Sequence, residues 1–213
     1  SDDGRVLVTG GNGLVGANTF TTTLQSTEIF DPNGANGGGT FSPGPQMMTP
    51  RQQHAAILLA DNVSVLVTGG FGASSSISAE IYRNNGFVTT GAIAQPRARQ
   101  TMTLLSDNTV LVAGGQITNG PGEMAPNGEI FNPAGAPNGT FSDAGPMVYP
   151  RQRAAATLLA DNSVLFTGGI RNIAFLGAAW AAAERFVPGS GFVGAPNDLV
   201  VRRDHAAVLL PDG

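Results

Sequence analysis

The chain alternates short apolar segments with clusters of Gly, Asn, Asp and Pro. Residues 58–70 show the pattern clearly: an apolar segment, a turn at Asp61 and Asn62, a second apolar segment and a closing pair of glycines. Apolar runs of roughly four to eight residues bounded by turn residues are typical of buried β-strands. The pattern recurs at residues 104–115 and 158–169, with its second half at 3–11 and its first half at 209–213. It therefore predicts a β-hairpin that the chain repeats.

The repeat has a period of about 50 residues, which is typical of propellers and other repeat architectures. Counted from one turn to the next, the chain divides into four units, at residues 4–61, 62–107, 108–161 and 162–213. Gly and Pro are spread along the whole chain instead of being concentrated in a linker. We therefore expect a single domain, residues 1–213, built from copies of one unit.

Each unit contains four strand-like segments. The first follows an arginine, the second precedes the glycine pair, the third contains a glutamate followed by an aromatic residue two positions on, and the fourth contains a phenylalanine after a tight turn. The repeat arginines are Arg51, Arg97, Arg151 and Arg202, and the repeat glutamates are Glu28, Glu80, Glu129 and Glu184. A meander of four antiparallel strands repeated in this way is the blade of a β-propeller. The sequence thus predicts an all-β protein.

These residues resemble the kelch repeat family. The resemblance rests on the glycine pair, the Glu-x-aromatic third strand, the Gly-x-Phe fourth strand and an Arg-x-x-His-Ala sequence before the next unit. It covers essentially the whole chain and departs from kelch repeats in the fourth strand, where Phe stands in place of Trp. The resemblance implies a kelch-type β-propeller, like the central domain of galactose oxidase, with four blades of four antiparallel strands.

The two chain ends carry complementary parts of one blade. The chain starts with a second strand and finishes with a first strand, so we expect residues 206–210 to pair with residues 5–10 and close the ring. Closure removes sheet edges that otherwise invite association. Kelch propellers commonly have more than four blades, so the resemblance leaves three arrangements open: a four-blade ring, two chains that share a larger ring, and a fragment of a larger ring.

Composition narrows the classes of function. The net charge of −4 and the pI near 5.0 argue against a protein that binds nucleic acid through its phosphates. No apolar run reaches the roughly 20 residues that a membrane-spanning helix needs. The absence of Cys excludes disulfides and thiolate metal sites. All 11 basic residues are Arg, and this composition, rich in Asn, Thr and Gly, is more typical of an extracellular or cell-surface protein.

One glycine-rich motif is similar to a dinucleotide-binding loop. Residues 6–16 carry glycines at positions 10, 13 and 16 after an apolar segment, as in short-chain dehydrogenases. Such a loop requires a helix that begins within it, because the first amides of the helix bind the pyrophosphate. Residues 17–24 are rich in β-branched Thr, which disfavours a helix. We therefore predict no dinucleotide and no other cofactor.

The residues that recur in every unit are expected to be structural. We predict that each repeat arginine pairs with a partly buried glutamate or with loop carbonyls and holds strands or blades together. His54 and His205 occupy one repeat position, where other units have Gln100 and Ala154. A metal site needs converging ligands, so we interpret both histidines as packing residues and predict no metal. The copper centre of galactose oxidase uses a Cys, which this chain lacks.

Positions that differ between units are better candidates for binding. Two residues after the repeat arginines the units carry Gln53, Arg99, Arg153 and Asp204. In kelch domains that bind acidic peptides, arginines at the matching place line the mouth of the central channel, so the resemblance implies that Arg99 and Arg153 face a ligand. Trp180 is the single Trp and lies in an apolar, Ala-rich insertion, residues 170–183, whose composition favours a short helix. It is a candidate for packing against a partner.

The loops after the glycine pairs vary most between units and leave the same end of each second strand. Variable loops on a rigid scaffold are common binding sites. We therefore expect a non-catalytic binding or scaffolding propeller that presents one loop face to a protein or glycan partner in an extracellular or surface assembly. Two alternatives are the propeller portion of a carbohydrate-active or oxidase enzyme with catalytic residues elsewhere, and a structural subunit that packs through residues 170–183, in a homo-oligomer or a larger complex.

Overall fold

The computed structural model of the chain describes residues 4–15, 20–34, 37–72, 77–119, 122–171 and 178–211. These residues form an all-β structure, which confirms the predicted class. In the described ranges no helix is long and apolar enough to cross a membrane. In chain order the strands are β1 Val6–Thr9, β2 Asn12–Val15, β3 Phe20–Thr23, β4 Thr27–Asp31, β5 Thr40–Pro43, β6 Ala55–Leu58, β7 Val65–Thr68, β8 Ala79–Arg83, β9 Gly86–Thr89, β10 Arg97–Ala98, β11 Thr101–Leu104, β12 Val110–Ala113, β13 Gln116–Ile117, β14 Asn127–Asn132, β15 Thr140–Pro146, β16 Ala155–Leu158, β17 Val164–Thr167, β18 Ile170–Arg171, β19 Ala178–Ala179, β20 Ala183–Val187 and β21 Gly191–Ala195.

Three antiparallel sheets repeat the same four-strand order. Sheet 2 has the order β6-β7-β8-β9, sheet 3 the order β11-β12-β14-β15, and sheet 4 the order β16-β17-β20-β21. Each sheet begins with the predicted hairpin. At its turn Asn62, Asn108 and Asn162 have φ values of 57°, 69° and 63°, a left-handed conformation that Asn adopts more readily than most residues. The Asp-Asn turn is therefore the local reason for the repeated hairpin.

Sheet 1 has only three strands, in the order β1-β4-β5. The prediction that residues 206–210 pair with residues 5–10 is wrong for this structure: residues 206–210 are not in a strand. Residues 202 and 204 are joined to the preceding unit as in the other repeats, since Gly169 donates its N–H to the carbonyl of Arg202 at 2.8 Å and Asp204 donates to that of Arg153 at 3.2 Å. Residues 206–210 beyond them are mostly exposed and no backbone ladder joins them to β1, which belongs to the sheet at the other end of the series. The sheets therefore form an open series in which sheet 1 lacks a first strand.

The glycine pairs connect each sheet to the next. Gly69 has a φ of 64°, and a Cβ at this position would lie 2.3 Å from the carbonyl oxygen of Arg97. Gly70 donates its N–H to the same oxygen at 2.9 Å. The second glycine of each other pair makes the same bond: Gly11 to Arg51, Gly115 to Arg151 and Gly169 to Arg202. The pair is therefore required because the backbones of neighbouring units approach too closely for a side chain.

Two hydrophobic clusters fill the spaces between neighbouring sheets. The cluster between sheets 2 and 3 consists of Leu59, Leu66, Ala79, Ile81, Val110, Val112 and Phe131. The cluster between sheets 3 and 4 consists of Leu105, Leu111, Ala113, Met147, Val164, Phe166 and Phe186. The first strands are also neighbours, since β6 contacts β11 and β11 contacts β16. Sheet 3 is thus stabilised by packing against both of its neighbours, sheets 2 and 4.

Short two-stranded sheets extend the loops that leave the glycine pairs. They are β2-β3, β10-β13 and β18-β19. Strand β2 runs through the glycine-rich motif where a dinucleotide site would need the start of a helix, in agreement with the sequence argument. The ends of the 170–183 insertion form β18-β19, so the expected helix is absent from its described part; residues 172–177 lie outside the described residues.

Candidate binding surface

Four residues at equivalent repeat positions form a continuous row across the sheets, which we call the arginine row: Gln53, Arg99, Arg153 and Asp204. The backbone N–H of Arg99 donates to the carbonyl of Gln53 at 2.9 Å, and Arg153 donates to that of Arg99 at 3.3 Å. All four residues are left-handed, with φ values of 54°, 60°, 55° and 53°. Such a conformation costs a non-Gly residue about 1 kcal/mol or more and is found preferentially at functional sites. The structure therefore brings the two predicted arginines together through their backbones.

The side chain of Arg99 is oriented by three neutral amides. Its Nε donates to Oε1 of Gln53 at 2.5 Å, and its Nη1 donates to Oε1 of Gln116 at 3.1 Å and to Oε1 of Gln152 at 2.9 Å. The guanidinium carbon lies 5.5 Å from the ring centre of Phe71, within the range of a cation–π interaction. These partners hold the group in position without neutralising its charge.

The arginine row carries an excess of positive charge. Nη1 of Arg153 lies 3.2 Å from Oδ2 of Asp204 in a partly exposed ion pair. The pKa of Arg99 is lowered by burial first and by the positive charge of Arg153 second, with Asp204 acting in the opposite direction. Arg99 and Arg153 are thus close enough to repel each other. The row thus contains two guanidinium groups and one carboxylate, which pairs with Arg153.

Loops from neighbouring sheets converge on the arginine row. Phe71 follows the glycine pair of sheet 2, and Gln116 follows that of sheet 3. Asn12 follows the glycine pair of sheet 1 and donates from its Nδ2 to Oε1 of Gln52 at 2.7 Å. The sequence analysis did not identify Gln52, Gln116 or Gln152 as site residues. The repeat could have indicated two of them, because Gln52 and Gln152 directly follow repeat arginines.

Three of the repeat arginines are buried and paired with glutamates, as predicted. The pairs are Arg51 with Glu80 at 2.5 Å, Arg97 with Glu129 at 2.7 Å and Arg151 with Glu184 at 3.3 Å. Burial lowers the pKa of Arg97 and of Arg151 and raises that of Glu184. Each pair links the start of a sheet to its third strand. These charges therefore maintain the fold and are not accessible to a ligand.

His54 joins the start of sheet 2 to sheet 1, and His205 joins the last described segment to sheet 4. Nε2 of His54 lies 2.8 Å from Oγ1 of Thr9, and Nε2 of His205 lies 2.9 Å from Oγ1 of Thr167. Burial, followed by the charge of Arg51, lowers the pKa of His54 to about 4. Gln100 makes the equivalent bond to Thr68. No group of three or more His, Asp or Glu suited to a metal ion occurs among the described residues.

Trp180 packs mainly within its own chain. Its ring lies 5.2 Å from that of Tyr149 in an edge-on arrangement, and the guanidinium of Arg171 stacks on it at 4.7 Å. The backbone of Trp180 pairs with that of Arg202, beside the last described segment. In the described part of the chain, no hydrogen bond or ring contact joins Trp180 to Arg99 or Arg153. A role in packing against a partner stays a prediction.

No protein-family model matches the chain, and no curated protein is significantly similar to it. Among solved structures, the chain is similar to that of YjhT, with a TM-score of 0.80 and 12% sequence identity. The match covers 99% of this chain and 72% of YjhT. YjhT has a β-propeller-like fold. At this level of identity the similarity concerns the fold alone.

Proposed function

We propose that the chain is a kelch-type β-propeller assembly in which sheets 1 to 4 are blades around a common axis. The proposal is supported by the sequence repeat, by the shared strand order of sheets 2 to 4 and by the similarity to YjhT. It is also supported by the contacts of β6 with β11 and of β11 with β16, because the first strands of propeller blades lie nearest the axis. The arginine row then crosses the blades at one end of the axis.

We further propose that the protein is a non-catalytic binding or scaffolding module whose arginine row binds an acidic group of a protein or glycan partner. The observation that carries this proposal is that Arg99 and Arg153 are neighbours in the row, joined by a backbone hydrogen bond, while the one carboxylate of the row pairs with Arg153. A carboxylate from a partner relieves their repulsion and accepts paired hydrogen bonds from a guanidinium. The amides of Gln53, Gln116 and Gln152 hold Arg99 in place before binding, which lowers the entropy cost.

The loops supply the rest of the proposed surface. Phe71 contacts Arg99 of the row, and Asn12, from the loop of another sheet, hydrogen-bonds Gln52, which precedes Gln53 of the row. A partner that covers the row therefore also contacts loops whose sequences differ from unit to unit. In this arrangement the charge of the arginine row attracts acidic partners in general, whereas the loop contacts select one of them.

Titration calorimetry with an acidic probe tests the proposal. An oligoglutamate peptide and an acidic polysaccharide are the probes, each compared with a neutral analogue. The double variant Arg99→Ala and Arg153→Ala is expected to weaken binding of the acidic probe at least about tenfold, because both charge-assisted hydrogen bonds are lost. Binding is also expected to weaken as salt is added.

The matched control is Arg83→Ala. Arg83 lies at the end of β8 remote from the glycine pair and hydrogen-bonds Asn138, so its loss removes one positive charge without changing the row. Unfolding curves establish that the variants are folded. Equal affinity of the double variant and the unaltered protein would contradict the proposal, as would equal binding of neutral and acidic probes.

A further inference from the structure

A pocket of about 170 Å³ lies in sheet 3, apart from the arginine row. It is bounded by residues 92–97, which lead into the sheet, and by strands β14 and β15. A cavity of roughly 150 Å³ is large enough to take a benzene ring. No member of the arginine row lines the pocket, so it is a second candidate binding site.

In sheet 4 the equivalent space holds the side chain of Tyr149. Tyr149 precedes Arg151 by two residues, as Gln95 precedes Arg97. Each of these arginines donates from its Nε to the carbonyl of that preceding residue, at 3.0 Å in sheet 4 and 3.4 Å in sheet 3. The guanidinium carbon of Arg151 lies 5.8 Å from the centre of the Tyr149 ring, within the range of a cation–π interaction. Sheet 4 therefore carries a phenol ring at a place where sheet 3 has the same backbone contact and a pocket.

The hydroxyl group of Tyr149 reaches strand β21. A Cβ at Gly194 of that strand would lie 3.9 Å from the Tyr149 hydroxyl oxygen. Gly194 pairs with Glu184, and Asp143 pairs with Glu129 at the equivalent position of sheet 3. A ring placed in the pocket as Tyr149 is placed in sheet 4 therefore directs its hydroxyl group to the side chain of Asp143.

The carboxylate of Asp143 is held in place by two hydrogen bonds. Its Oδ1 accepts one from Nδ2 of Asn127 at 3.0 Å and one from the backbone N–H of Gly145 at 3.1 Å. Among the described residues no hydrogen bond or ion pair engages its Oδ2. This oxygen is therefore available to accept a charge-assisted hydrogen bond from an O–H donor.

The side chain of Gln95 does not close the pocket that it lines. In the described part of the chain its Oε1 is buried and has no hydrogen-bond partner. A buried acceptor without a partner is unfavourable, so the protein does not stabilise the amide in its present position. A ligand can therefore displace this amide at little cost.

We propose that this pocket binds a phenol group, which belongs either to a free aromatic molecule or to a tyrosine side chain of a partner protein. The ring lies against the guanidinium of Arg97, as the ring of Tyr149 lies against that of Arg151. Its hydroxyl group donates to Oδ2 of Asp143. The side chain of Phe141 lines the pocket and adds an apolar contact.

Titration with 4-methylphenol, followed by amide chemical shifts in NMR spectra, tests the proposal. The dissociation constant is expected to be at or below about 1 mM, and the largest shifts are expected at Gln95 and Asp143. 4-Methylanisole has the same ring but no O–H donor, so it is expected to bind at least about fivefold more weakly. Equal binding of the two compounds, or no binding of 4-methylphenol up to about 10 mM, would overturn the proposal.

The variant Gln95→Tyr copies sheet 4 and is expected to fill the pocket with the protein's own ring, which abolishes binding of 4-methylphenol. Thr49→Tyr is the matched control, because Thr49 holds the same repeat position in sheet 2, and it is expected to leave binding unchanged. Thermal unfolding establishes that both variants are folded. Retained binding in folded Gln95→Tyr would overturn the proposal.

The variant Asp143→Asn tests the hydrogen bond without filling the pocket. It is expected to weaken binding of 4-methylphenol about fivefold, because a neutral acceptor replaces a charged one, and to leave binding of 4-methylanisole unchanged. Equal losses for the two compounds would contradict the assigned role of Asp143.

A tripeptide of sequence Ala-Tyr-Ala with blocked ends distinguishes the two sources of the phenol. An affinity at least equal to that of 4-methylphenol would identify a partner's tyrosine, because the flanking backbone is then accommodated. Binding of 4-methylphenol without binding of the tripeptide would identify a free phenolic molecule. Detectable and equal binding of the tripeptide and of its Ala-Phe-Ala analogue would count against the proposal.

Discussion

A buried arginine is costly unless every part of its guanidinium is satisfied, and Arg97 shows how this chain achieves that. Its Nη2 bonds Oε1 of Glu129 at 2.7 Å, and its Nη1 bonds the carbonyls of Gly114 and Asn127 at 3.2 Å and 2.9 Å. The sequence predicts such pairs because Arg and Glu each recur once per unit. It does not predict the amides around Arg99, because Gln116 has no counterpart in the repeat and its role depends on loop geometry.

The variant Glu129→Leu is expected to lower the free energy of unfolding by about 3–5 kcal/mol, because it leaves Arg97 charged and unpaired in the interior. Urea unfolding followed by circular dichroism measures the effect. The double variant Arg97→Met and Glu129→Leu is expected to recover much of the loss. As a control, Asp204→Asn removes a partly exposed pair and is expected to cost less than about 1 kcal/mol. Equal losses in the single and double variants would refute the explanation.

The repeated hairpin is the unit of this structure, and the glycine pair that follows its second strand forms the junction between sheets. Sequence analysis located the hairpins because the apolar segments, the Asp-Asn turn and the glycines all recur. The reason for the glycines appears only in three dimensions: Gly69 lies against the carbonyl of Arg97, which belongs to the next unit. In the sequence, a glycine that is needed for a contact between units cannot be distinguished from a glycine of an ordinary turn.

The variant Gly69→Ala is expected to destabilise the protein by about 2 kcal/mol or more, because the new methyl group meets a backbone oxygen and the φ is positive. Thermal unfolding compares it with Gly86→Ala in the same sheet. Gly86 has open space at its Cβ position and no positive φ, so its substitution is expected to change stability by no more than about 0.5 kcal/mol. Similar losses at both positions would argue against the close approach.

The molecule as a whole is an open series of sheets, each of which depends on its neighbours. Sheet 3 packs against hydrophobic clusters on both sides, whereas sheet 1 lacks a first strand and faces a cleft. The sequence could not predict whether the series closes, because closure depends on the angle between neighbouring sheets. That angle is set by packing between sheets, and the strand pattern within each unit does not encode it.

Protection of backbone amides from hydrogen exchange is expected to be greater in sheet 3 than in sheet 1. Amides of β12 in sheet 3 are expected to exchange at least about 100-fold more slowly than those of β1, because opening of an end sheet breaks contacts on one side only. Exchange measured by mass spectrometry tests this expectation. Uniform protection of all sheets would show that the series unfolds as one cooperative unit.

The left-handed residues of the arginine row have a further consequence for evolution of the surface. Because neighbouring positions are linked by backbone bonds, their side chains can be exchanged without altering the path of the chain. Glycine, which tolerates this conformation best, would relax the backbone at Arg99 while removing its guanidinium. Selection for greater stability alone would therefore tend to erase the charges, so their persistence in a lineage would report on selection for recognition.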